Sequence, residues 1–145
     1  MKSIFYWFVL LFSIAVIVSS CAKSEDSKTA TNSSTDNSTS DNATTFKVTA
    51  SGGKYYLEGN ESKLLNLKKG YTYYFDSSDS STNSHPFYIG TTSGGGNYTG
   101  EYTSGVTSSR TTTGTLTFIV PSDSPTTLYY NCGNHSGMGG TIIIY

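Results

Sequence analysis

Thr126-Thr127-Leu128-Tyr129-Tyr130-Asn131-Cys132-Gly133-Asn134-His135-Ser136-Gly137-Met138-Gly139-Gly140-Thr141-Ile142-Ile143-Ile144-Tyr145 closes this chain. Its two ends, Thr126–Tyr130 and Thr141–Tyr145, are β-branched and aromatic, as strands are, and its middle is small and polar, as loops are. The same alternation recurs upstream. Runs of Tyr, Thr, Val, Ile and Phe between Gly, Ser, Asn and Pro clusters predict strands near 46–50, 54–57, 64–67, 72–76, 87–89 and 115–120, with no helical stripe of useful length. Lys68-Lys69-Gly70 and Pro121-Ser122-Asp123-Ser124-Pro125 read as turns. Residues 91–113 are Gly-, Ser- and Thr-rich and read as a long loop anchored only by Tyr98, Tyr102 and Val106. The fold class is therefore all-β, a sandwich or barrel of about seven to eight strands.

The loop of the closing stretch carries Cys132, His135 and Met138 as Cys-x2-His-x2-Met. The only other histidine, His85, lies in Ser84-His85-Pro86-Phe87-Tyr88. One thiolate, two imidazoles and a weak axial thioether make up the donor set of a mononuclear blue-copper electron-transfer centre. Thiolate and thioether suit copper(I), and imidazole suits both oxidation states. Zinc is the competing occupant, but structural zinc sites draw on paired Cys or His and do not use methionine, so Met138 discriminates. The plainer alternative makes Cys132 a small buried hydrophobe and Met138 a gap filler.

Met1 and Lys2 followed by the apolar run 4–18 read as a signal peptide over residues 1–20, rather than a spanning helix. Val18-Ser19-Ser20-Cys21 resembles a bacterial lipobox, which makes Cys21 the lipidated first residue of the mature chain. Lipidation of Cys21 leaves Cys132 without a disulfide partner in an oxidising compartment, and holding a metal is the simplest reason to keep such a thiol. Residues 22–45 lack any aromatic or large aliphatic side chain, so the segment 21–45 reads as a lipidated cysteine and a disordered tether reaching about 25–30 Å. The expected location is extracytoplasmic and lipid-anchored. With Ala22 after the cysteine, that is the outer membrane or periplasmic face in a two-membrane bacterium, and the cell surface in a single-membrane one.

The remaining residues, 46–145, suffice for one domain. Six basic residues (Lys47, Lys54, Lys63, Lys68, Lys69, Arg110) balance six acidic ones (Glu58, Glu61, Asp76, Asp79, Glu101, Asp123). No basic field argues for nucleic acid, and no strong charge of one sign steers a distant partner.

Over this whole domain the sequence resembles a cupredoxin, the small blue-copper family that includes plastocyanin and amicyanin. The resemblance runs in order through Leu67-Lys68-Lys69-Gly70, the segment 71–75, His85, the Cys-His-Met loop and a closing strand. It implies a Greek-key sandwich, one copper ion cycling between copper(I) and copper(II), and no enzymatic activity. By position His85, Cys132 and His135 would be equatorial ligands and Met138 the long axial one. His135 would present its ring edge to redox protein partners, a cytochrome or an oxidoreductase. Many family members give the copper-bound sulfur an amide from the residue after the first histidine, but Pro86 has none to give. Asn134 is then expected to supply the sulfur's backbone hydrogen bond.

His-Pro-Phe also occurs in multicopper oxidases, whose trinuclear cluster needs further histidines. Tyr88, Gly90, Asn131 and Gly133 stand in those places, and two histidines in all cannot build that cluster. A copper-trafficking or resistance lipoprotein, and an adhesion module that has kept the fold, are the competing functions. Among the tyrosines, one of each adjacent pair should point inward, with Tyr88 and Tyr130 nearest the metal.

Overall fold

Period-2 alternation places Tyr55 and Leu57, Tyr73 and Phe75, Leu116 and Phe118, and Leu128 and Tyr130 on one face of their strands, and these side chains form the core of the computed structural model. The structure describes residues 42–145. The signal peptide at 1–20, the lipidation site Cys21 and the tether as far as residue 41 lie outside the described residues.

Ten strands are present among the described residues: β1 (Ala43–Ser51), β2 (Lys54–Leu57), β3 (Asn60–Glu61), β4 (Leu65–Leu67), β5 (Thr72–Asp76), β6 (Phe87–Gly90), β7 (Val106–Thr107), β8 (Thr115–Ile119), β9 (Thr127–Cys132) and β10 (Gly139–Ile144). Two mixed sheets result. One has the order β3-β2-β1-β5-β8-β7 and the other β4-β10-β9-β6, with β1 parallel to β5 and β10 parallel to β4. The chain crosses repeatedly between the sheets, so the two layers close on a single core.

The strand count exceeds the expected seven to eight because β3 and β7 are two-residue pairings, too short to leave a periodic signal. β1 begins at Ala43, three residues before its expected start. Ala43, Thr44 and Thr45 pair with Thr72, Tyr73 and Tyr74. Backbone pairing does not need an apolar side chain, so composition alone gave these residues to the tether.

The segment 91–113 is also more structured than expected. Val106 and Thr107 form β7 against β8, and Tyr102 packs edge-on to Phe118 at a centroid distance of 6.2 Å. The amide of Tyr102 donates to Ile89 O (2.8 Å) and that of Arg110 to Phe87 O (2.8 Å), so this segment occupies the open edge of β6. Residues 92–99 also bond to the sheet's outer face, where Asn131 Nδ2 donates to Thr92 O (3.0 Å) and Tyr88 Oη to Thr99 O (3.2 Å). Both faces of β6 are consequently buried.

The centre of the core is aromatic. Phe87 stacks on Phe75 (5.1 Å) and on Tyr130 (5.7 Å) and meets Tyr55 edge-on (5.2 Å). Phe87→Ala should destabilise the domain by about 3–5 kcal/mol, the range for emptying a fully buried phenylalanine site, as read from the midpoint shift in urea unfolding.

Candidate metal centre

β6 and β9 are antiparallel neighbours with Phe87 opposite Cys132. Continued past the strand ends, this register sets Pro86 against Gly133 and His85 against Asn134. The Gly133 amide donates to Pro86 O at 2.8 Å, so the ladder does continue. The residues just before β6 and just after β9 are thereby forced together at one end of the sandwich. Cys132 shares the inward parity of Leu128 and Tyr130, and its side chain is fully buried at that end.

His85 is fixed from its N-terminal side. Asp79 caps the short 3-10 turn Ser80–Thr82, and the buried Thr82 hydroxyl lies 2.6–2.8 Å from the carbonyls of Ser77, Asp79 and Thr112. Thr82 O then accepts from the His85 amide at 2.8 Å. On the other loop, the Cys132 amide donates to Met138 O (2.9 Å), which closes 132–138 on itself.

Side-chain donors of His85, Cys132 and His135 all lie within 4.8 Å of one another. Both imidazoles turn Nδ1 toward the sulfur, at 3.7 Å for His85 and 3.5 Å for His135, and the two Nδ1 atoms are 3.1 Å apart. Donors bound at about 2.0–2.3 Å to one ion stand roughly 3–4 Å from each other, so these three atoms fit a single metal. Two imidazoles and a thiolate, with a methionine adjoining, match copper better than zinc, which would need a fourth strong protein ligand in a closed site. His85 is half-buried and His135 exposed. Burial and then the neighbouring His135 ring hold the His85 imidazole below its ordinary range, which favours the neutral, ligating form.

Met138 is fully buried beside this group in the chain and in the core. The Asn134 side chain donates from Nδ2 to Ser84 O at 2.9 Å, tying the two histidine-bearing loops together.

The tyrosine hydroxyl at the site is that of Tyr55, not of Tyr88 or Tyr130. Tyr130 Oη donates to Lys63 O (2.9 Å) and Tyr88 Oη to Thr99 O. Tyr55, from the opposite sheet, is fully buried and donates to His85 O at 2.7 Å. Burial above all, and then the charge of Cys132, raise its phenol above the ordinary range, so it stays a neutral donor. Alternation along Lys54–Leu57 could show that Tyr55 points inward, but not that its hydroxyl reaches His85.

No family model and no curated protein matches the sequence. Among solved structures the chain is similar to reduced rusticyanin (16% identity, 73% of this chain and 81% of that one, TM-score 0.49). It is also similar to rusticyanin from Thiobacillus ferrooxidans (16%, 73% and 79%, TM-score 0.47). A variant of the McoA multicopper oxidase from Aquifex aeolicus matches over 71% of this chain and 26% of its own (16%, TM-score 0.37). The identities are low, and the reading of the site rests on its own donor atoms. What the chain presents is a two-layer β-sandwich with His85, Cys132 and His135 gathered at one end in a group that could hold a metal ion.

Tyr55→Phe should leave His85 O without its buried partner and cost about 1–3 kcal/mol in urea unfolding of the metal-free protein. Metal-free stability should also depend on pH. Unfolding frees His85 to take up a proton near its ordinary pKa of about 6.5, whereas the folded form resists protonation to lower pH. The unfolded state binds more protons in that window, so stability is full above it and falls as pH drops below about 6.5. His85→Gln should flatten that slope.

Proposed function

We propose that this protein is a blue-copper electron carrier, held outside the cytoplasm through lipid on Cys21. The observation that carries the reading is the convergence of His85 Nδ1, Cys132 Sγ and His135 Nδ1 within 4.8 Å on a β scaffold. In this reading Met138 would be the fourth residue to hold the copper, supported by its burial and by the main-chain bond between Met138 and Cys132. Copper bound there supplies a one-electron couple.

The residues around it do the rest. Tyr55, Thr82 and the β6–β9 ladder hold the donors in place, which keeps rearrangement between oxidation states small. Burial of Cys132 keeps water from the thiolate. His135 is exposed, and its neighbours Asn134, Ser136 and Gly137 are exposed, small or uncharged. A redox protein, either a cytochrome or an oxidoreductase, could therefore bring its own cofactor close to the His135 ring.

Copper(II) added to the purified protein should bind one per chain, with an intense visible sulfur-to-copper charge-transfer band and a reversible one-electron wave. Cys132→Ala should abolish the band, whereas Met138→Ala should keep copper with a changed potential. Copper(I) binding with no stable oxidised form would instead identify a trafficking or resistance protein.

A further inference from the structure

Five consecutive residues, Gly94, Gly95, Gly96, Asn97 and Tyr98, have positive φ, between +51° and +94°. Left-handed backbone is routine for single glycines but costly in succession, and costlier at Tyr98, which has a bulky side chain. Strain of this kind persists only where the surroundings impose it. Here they do. The Gly96 amide donates to Cys132 O (2.9 Å), the Asn97 amide donates to Gly133 O (2.7 Å), and Gly94 O accepts from the Gly137 amide (2.5 Å). A left-handed turn of the 91–113 segment is thus bonded to the ligand loop at its start, at its centre and near its end.

Side chains reinforce the contact. A Cβ on Gly95 would stand 2.7 Å from Cys132 O, so this backbone approaches as closely as only glycine allows. The Tyr98 ring lies against Gly133, where a Cβ would collide with it. Arg110 stacks on that ring at 4.1 Å and pairs with Glu101 through Nε and Nη2.

We infer that the left-handed turn 94–98 is a positioning element for the metal-ligand loop, with Gly95 and Tyr98 as its positioning residues. It holds the Cys132 and Gly133 carbonyls, while the amides of the same two residues bond to Met138 O and Pro86 O. The peptide that joins Cys132 to Gly133 is therefore held at both ends, its carbonyl by the Gly96 amide and its amide by Pro86 O, directly beside the carbon that carries the sulfur-bearing side chain. Its effect on copper rests on the function proposed above. Its effect on the loop does not.

The test compares the full-length protein with Gly95→Ala and Tyr98→Ala by amide hydrogen exchange without metal, then by spectrum and potential after copper(II) is added. In Gly95→Ala, protection should fall at least tenfold at Gly96 and Asn97 and also, across the loop, at Cys132 and Gly133. The copper-loaded variant should show a displaced charge-transfer band and a shifted potential. A tenfold change in the ratio of copper(I) to copper(II) affinity corresponds to about 59 mV. Tyr98→Ala, which leaves the turn's glycines in place, should move the same readouts in the same sense and decides the matter if Gly95→Ala does not fold. Exchange confined to Gly96 and Asn97, or an unmoved band and potential, would show the turn to be ordinary loop packing and overturn the inference. Should the parent protein take up no copper, the proposed function fails, and exchange at Cys132 and Gly133 alone decides on the turn.

Discussion

The pairing of Phe87 with Cys132 governs this molecule, because it decides which residues meet where the β6–β9 ladder runs out. His85 lies two residues before the paired phenylalanine, and His135 three residues after the paired cysteine. A slip of one residue would reverse the faces of β9 and carry the sulfur outward, away from both imidazoles. Phe87 itself is locked between Phe75 and Tyr130 in the centre of the core. Hydrophobic packing thus pins the register, and the register assembles the donors.

Rigidity is supplied in layers around that pairing. Inside the sandwich Tyr55 crosses from the other sheet to His85 O, and a buried threonine fixes the turn that leads into His85. Outside it, the 91–113 segment fills the edge of β6 and bonds to the ligand loop. Asn134 links the two loops at the surface. Only His135 among the three clustered donor residues is left exposed, so the site is held firmly on its protein side and open at one point.

Much of this was legible in the chain. Lys54–Leu57 and Thr72–Asp76 fall where their alternation and flanking turns put them, and most other strands differ by one or two residues at an end. The adjacent tyrosines divide inward and outward as a period of two requires. β3, β7 and the first residues of β1 were not legible, since they are defined by main-chain pairing and have no distinguishing side chains.

By itself the sequence determined the chemistry on offer: over residues 42–145, one thiol, two imidazoles and one thioether in a β-forming chain, because donor types and local periodicity are properties of residues in order. Tertiary structure decided the rest. That His85 meets Cys132 across 47 positions, that Tyr55 rather than Tyr88 or Tyr130 brings its hydroxyl to the site, and that a glycine-rich segment winds left-handed against the ligand loop follow from sheet register and close approach between distant segments. Such contacts depend on three-dimensional packing, which local sequence pattern does not encode.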